Sequence, residues 1–158
     1  MPGNEIRMTP EFALVAALEM VPALRGKVSA MQPKKDVKPP FTFYVPMADR
    51  ESECLDGSSG LQSFEATVHL VAASHRGLQL ISAQSKAKVH GMRSVVYRTP
   101  AEDEAEGLKG AVLIENTTMV QSSPDLYESE VGFYRRVYTV SIDYQTENVI
   151  EDEEVFSG

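Results

Sequence analysis

The first legible hydrophobic pattern runs from Thr9 to Leu24. Leu14, Val15, Leu18 and Val21 recur at the spacing of one helix face, and Ala13, Ala16 and Ala17 favour the helical state. Thr9-Pro10-Glu11 supplies the start: Thr is a favoured N-cap, Pro suits the first helical position, and Glu suits the positive end of the helix dipole. Pro22 and Gly26 are stop signals, so a helix is predicted over about residues 10–24. The next pattern has period two. From Gln62 to Ala73, Phe64, Ala66, Val68 and Leu70 face one way while Glu65, Thr67 and His69 face the other, which predicts a half-buried strand. Phe41-Thr42-Phe43-Tyr44-Val45 predicts a strand before it, ended or kept to a sheet edge by Pro46. The turn-rich Asp56-Gly57-Ser58-Ser59-Gly60 joins the two into a hairpin.

The second half repeats the theme loosely. Ser74 caps a predicted helix over 75–90, with Leu78, Ile81 and Val89 inward and Gly91 closing it. A short strand is expected at Ser94 to Arg98 and a long one at Ala111 to Gln121. Ser122-Ser123-Pro124-Asp125 turns the chain into a last strand from Val131 to Tyr144. There Tyr134, Tyr138, Val140, Ile142 and Tyr144 share one face, and Arg135, Thr139, Ser141 and Asp143 the other. The order α-β-β-α-β-β predicts an α+β fold: an antiparallel-rich mixed sheet of about four strands with two helices packed on one face. Residues 1–8 are expected to be frayed, 25–40 a loop, 99–110 a mobile acidic loop, and 146–158 an acidic tail, either disordered or an interaction arm. One domain over 1–145 is therefore expected.

Composition narrows the partners. The 158 residues, 42% hydrophobic, suffice for one core. The net charge is −8, unevenly spread: residues 1–100 hold 12 basic and 9 acidic residues, and 101–158 hold 3 basic and 14 acidic. Phosphate binding needs Lys and Arg, so nucleic-acid recognition is not expected. Met1 to Met8 lacks a secretory-signal core, and no apolar run approaches the roughly 18 residues of a membrane span. A soluble chain made in a cytoplasm, with no membrane partner, is expected. Cys54, the lone cysteine, forms no internal disulfide and reads as a small half-buried hydrophobe.

Candidate chemistry is thin. His69, His75 and His90 are the histidines, none at metal-ligand spacing from another His or Cys, and His69 reads as a surface residue of the polar strand face. Neither a phosphate-cradling GxxxxGK[ST] nor a GxSxG elbow occurs. Asp56 to Gly60 lacks the later ligands of a calcium loop. Glu102-Asp103-Glu104 and Glu151-Asp152-Glu153-Glu154 read as solvated like-charge blocks. Arg135 and Arg136 point to opposite sheet faces, so they do not form one anion site. Arg136 falls on the apolar face and needs a partner, for which Glu128 or Glu130 is expected. Phe41, Phe43, Tyr134 and Tyr138 read as core or interface packing rather than a platform for bases. No catalytic residue, metal or cofactor is expected, and the chain reads as non-enzymatic.

Several phrases taken in order resemble one family. They are Ala-Leu-Val-Ala-Ala-Leu at 13–18, Pro-Pro-Phe-Thr-Phe-Tyr at 39–44, and Leu55-Asp56-Gly57 with Gly60-Leu61. The alternating strand at 64–71 running into a helix follows, then Asp125-Leu126-Tyr127-Glu128 and Gly132-Phe133-Tyr134-Arg135-Arg136. Over residues 10–145 the chain resembles the tail terminator and tail-completion proteins of long-tailed phages. The resemblance rests on order and spacing, since each phrase alone is an ordinary turn or strand. It implies a ring, typically a hexamer, that caps the tail tube, ends its polymerisation and docks the head connector. The implied partners are further copies, the tube protein and the connector, at the tail neck of the virion and in the host cytoplasm during assembly. The long acidic stretch at 99–110 and the acidic end beyond 145 depart from the family pattern. A ring subunit must offer two different patches. One is expected at the strand edges with the hairpin at 55–61, including Leu55, Asp56 and Gly57. Lys34, Lys35 and Lys38 are expected to meet an acidic partner such as Glu102, Asp103 and Glu104. Two alternatives stay open: another phage neck or minor tail component, or a small-ligand-binding or enzymatic α+β domain marked by a deep cleft with a buried carboxylate or histidine.

Overall fold

The computed structural model describes residues 6–7, 9–51, 61–98, 108–109 and 111–147. In chain order the elements are β1 (Ile6–Arg7), α1 (Pro10–Glu19), a 3-10 turn (Pro22–Leu24), β2 (Val28–Ala30), β3 (Phe41–Glu51) and β4 (Leu61–Ala72). There follow α2 (His75–His90), β5 (Val96–Arg98), β6 (Leu108–Lys109), β7 (Ala111–Gln121), β8 (Leu126–Glu128) and β9 (Phe133–Glu147). The fold is α+β. The main sheet runs β2-β3-β4-β9-β7-β5, and β8 pairs with β9 beside it. Among the described residues, only its β2–β3 pairing is parallel.

The long elements follow the predicted order of helix, two strands, helix, two strands. The sheet is nevertheless larger than about four strands. β2 and β8, three residues each, are too short to show a period and lie in segments read as loop and turn. Two-residue β1 and β6 pair in parallel, so Ile6–Arg7 and Leu108–Lys109 are strands within segments expected to be frayed and mobile. The predicted loop at 99–110 otherwise lies outside the described residues. β9 continues to Glu147, so the first two residues of the expected tail are strand; residues 148–158 lie outside the described residues.

Pro46 does not end β3. Thr42 N–H bonds Lys27 O, and Tyr44 O accepts from Met31 N–H, so even-numbered residues here aim their backbone groups at the β2 side. β2 pairs only as far as Tyr44. The missing N–H of Pro46 therefore falls on an edge that no described strand pairs, where it costs no ladder bond. A register shift between Pro46 and Ala48 marks a bulge, and pairing with β4 then continues to Glu51 and Gln62.

One core lies between one sheet face and both helices. Leu14, Leu18, Leu24, Leu70, Leu78, Met92, Ile114, Met119 and Ile142 are fully buried in it. The period-two strands deliver Phe64, Ala66, Val68 and Leu70 from β4 and Tyr138, Val140, Ile142 and Tyr144 from β9 to this face, as their alternation predicts. Both helices begin at their predicted caps: Thr9 Oγ1 accepts from Phe12 N–H at 3.4 Å, and Ser74 Oγ from Gly77 N–H at 3.0 Å. α1 stops at Glu19, and Pro22 restarts the chain as the 3-10 turn. The Tyr44 hydroxyl donates to Glu11 Oε2 at 2.7 Å and fastens the first turn of α1 to β3. Burial, with the Glu11 carboxylate beside it, pushes the Tyr44 phenol well above its ordinary value.

Candidate functional site

The sheet face away from the helices carries a small aromatic corner at the end where β3 begins. Phe41, Phe43 and Val71 are buried there, with Val37, Val45 and Phe133 packed against them. Phe41 meets Phe133 edge-on at 6.4 Å between centroids, and Phe43 stacks flat on His69 at 4.5 Å. His69 is therefore a half-buried member of this corner, which corrects its reading as a surface residue. The alternation shows its face but not the Phe43 ring across the strand. Its Nδ1 is buried without a hydrogen-bond partner among the described residues, and Nε2 lies 3.5 Å from Thr67 Oγ1. Burial first, and the nearby Arg135 guanidinium second, hold the imidazole below its ordinary pKa. The four aromatics singled out in the sequence do not form one platform: Phe41 and Phe43 belong to this face, Tyr134 and Tyr138 to the helix-covered core.

The adjacent arginines take opposite sides of β9 and different acids. Arg136 binds Asp125 with two charge-assisted hydrogen bonds of 2.7 Å, from Nε and Nη2. Its partner is thus the turn before β8, not Glu128 or Glu130. Glu128 pairs instead with Arg135 on the open face, because β8 lies antiparallel to β9 and sets Leu126 opposite Arg135. Sequence distance alone did not separate these two carboxylates. Asp125 also accepts from His75 at 3.2 Å, if that ring nitrogen carries the proton, and from Gln121 Nε2 at 3.1 Å. The Arg136 bonds hold the Asp125 carboxyl below the usual carboxylate range, and Asp125 in turn raises Arg136. His75 opens α2, so this cluster ties the start of a helix to the turn at the same end of the sheet. Tyr134 lies 5.9 Å from the His75 ring and 4.8 Å from Tyr127.

Lys34, Lys35 and Lys38 are exposed on the segment between β2 and β3. Lys34 Nζ donates to Gly26 O at 2.9 Å, and Lys27 Nζ reaches Lys38 O at 3.4 Å. Gly26 has φ +76°, a conformation that favours glycine, and its carbonyl is thereby presented to the lysine. Val37 anchors the middle of the segment in the aromatic corner. Together with Arg25 these residues set five cations beside one acid, Asp36, and among the described residues none of the five is in an ion pair. Leu55, Asp56 and Gly57, with Cys54, and Glu102, Asp103 and Glu104 lie outside the described residues. The antiparallel pairing of β3 with β4 is present on both sides of the predicted hairpin turn.

The chain matches no family model and no curated protein. The site is therefore read from its own geometry. Among the described residues no three His, Cys, Asp or Glu side chains converge as metal ligands, and no helix is long and apolar enough to cross a membrane. α1 carries an exposed apolar stripe, although single apolar side chains elsewhere, such as Met31, Met47, Leu80 and Val120, are more exposed. Its inner residues Ala13, Leu14, Ala17 and Leu18 are buried, yet Phe12, Ala16 and Met20, spaced four apart on the other side, are apolar too. Phe12 is 45% exposed and Met20 54% exposed.

Proposed function

We propose that this chain is a structural subunit of the tail-terminator kind, which closes into a ring on the end of a phage tail tube, stops tube growth and offers a docking surface to the head connector. The observation that carries the reading is the outer side of α1. A helix face lined with apolar residues is normally covered, and here Phe12, Ala16 and Met20 on the outer side of α1 face solvent in the single chain. Self-association covers such a stripe at no cost to the fold. The open β3 edge beyond Tyr44, with Met47 exposed next to it, offers a second and different patch, as a closed head-to-tail ring requires. The segment order that resembles tail-completion proteins supplies the biological setting.

The test is native mass spectrometry of the purified chain alone and with a tail-tube protein from the same genome, together with the length of the tubes formed. Rings of one defined size, and shorter tubes as the chain is added, are expected. Phe12→Ser with Met20→Ser should weaken the rings while circular dichroism and melting stay near wild type. A chain that stays monomeric beside the tube protein and leaves tube length unchanged would sink the reading.

A further inference from the structure

The lysine segment lies at one end of the sheet, and the last strand, β9, runs out at the other. Its near end is marked by Phe41 opposite Val71 and Val71 opposite Arg135. The lysine segment packs here, at the level of Phe41 to Tyr44. The far end is marked by Leu61 opposite Gln145, and by Ala111 opposite both Glu147 and Arg98. Glu151, Asp152, Glu153 and Glu154 follow Glu147 by four to seven residues.

The registers give the separation. The level of Phe41 to Tyr44 on β3 corresponds to Arg135 to Tyr138 on β9, nine to twelve residues before Glu147. At about 3.3 Å per residue this is about 30–40 Å along the strand, with about 10 Å more across two strand spacings. A stretch of four to seven residues spans at most about 13–25 Å. The acidic block as a whole thus falls short of the lysine segment of its own chain.

We propose that Lys34, Lys35 and Lys38 of one copy bind the Glu151 to Glu154 segment of a second copy, joining chains end to end along the strand direction. The proposal rests on the assembly reading only in taking the partner to be another copy. Charge complementarity names that occupant: a cluster of cations without carboxylate partners among the described residues stands at one end, and in the sequence four consecutive acids follow the strand that ends at the other. The lysine segment is also preformed. Its own ammonium-to-carbonyl bonds and the Val37 anchor hold it in place, so less conformational freedom is lost on binding. The two ends differ, so the contact is head-to-tail. Exposed ion pairs set orientation and encounter rate and are screened by salt. The competing occupant is intrachain: α2 returns toward the acidic end, where Ser94 N–H bonds Ile114 O, and it carries Lys86 and Lys88 in its last turns.

Two charge-reversed full-length chains test this. One carries Lys34→Glu, Lys35→Glu and Lys38→Glu; the other carries Glu151→Lys, Asp152→Lys, Glu153→Lys and Glu154→Lys. Sedimentation velocity at about 50 mM salt should show each alone associating at least about tenfold more weakly than wild type. An equal mixture should recover association, because the acidic loop then faces the basic tail and the basic loop faces the acidic tail. Variants that associate like wild type, or a mixture no stronger than its parts, overturn the proposal. So does a Lys86→Glu, Lys88→Glu chain that loses association while the loop variant keeps it. Rings that persist in the loop variant remove this contact and leave the ring reading standing. End-to-end pairing by a chain that never shortens tubes upholds the contact and removes the ring reading.

Discussion

The two faces of the sheet are built from the same alternating strands and solve different problems. On the helix-covered face, Leu70, Val68, Val140 and Ile142 are buried completely beneath α1 and α2. On the open face the alternating positions are Thr67, His69, Thr139 and Ser141, all partly exposed, with an aromatic corner at one end only. Period two thus separates stability from surface within one strand: even residues of β4 carry the main core, while odd ones face the open side and are buried only at the aromatic corner, as Val71 is. The largest expected effects test that division. Leu70→Ala and Ile142→Ala each remove a fully buried side chain and should cost about 3 kcal/mol, in the range of 2–5, read from urea midpoints. Val120→Ala on the open face, 62% exposed, should stay within about 0.5 kcal/mol. A comparable loss at Val120 would mean that the open face is covered in solution.

The neighbouring arginines sharpen the same contrast. Arg136 lies on the covered side, is mostly buried and makes two hydrogen bonds to Asp125. Arg136→Ala leaves that carboxylate without its main partner and should cost roughly 2 kcal/mol. Arg135 pairs with Glu128 in a more exposed setting, so Arg135→Ala should cost less than about 1 kcal/mol. Equal losses would show that the face of β9 does not decide the strength of the pair.

Much of this arrangement is legible in the chain. The caps at Thr9 and Ser74, the alternation of β4 and β9 and the turn at Asp125 are local signals, and each appears where it is read. What escapes is either short or nonlocal. β2 and β8 hold three residues each, which shows no period, and they exist because β3 and β9 offer ladder positions. Pro46 is read as ending its strand or keeping it to an edge, and the second alternative is the one seen, which the sequence alone does not select because it depends on how far β2 reaches. Arg136 reaches Asp125 across eleven residues, whereas the nearer Glu128 follows the opposite face to Arg135. The proposed patches divide in the same way: Lys34, Lys35 and Lys38 are placed by Val37 and Gly26, while Leu55 to Gly57 and Glu102 to Glu104 lie outside the described residues.

A smaller effect concerns how the covered face keeps its lid. Thr9→Ala removes the acceptor for Phe12 N–H at the start of α1 and should cost about 1 kcal/mol. The loss should appear in urea unfolding without a change in m, since the helix is still docked by Leu14 and Leu18. A drop in m as well would mean that α1 leaves the sheet before the rest unfolds.

The smallest expected effect is a pH dependence confined to the open face. His69 is held below its ordinary pKa by burial and by Arg135, with Phe43 and Thr67 completing its surroundings. The unfolded chain therefore binds the proton more readily than the folded one. The neutral ring's contribution is present in full above about pH 6.5, the unfolded value, and declines as pH falls from there toward the lower folded value. A single group changes stability by at most about 1.4 kcal/mol per pH unit, and a half-buried one by less. Asp125 also sits below its ordinary value, so its contribution is lost only in the separate window below about pH 4. Urea unfolding at pH 7.5, 6.5, 5.5 and 4.5 should show wild type losing stability below 6.5, with His69→Gln flatter over the same range. Parallel curves for the two proteins would remove His69 from the account.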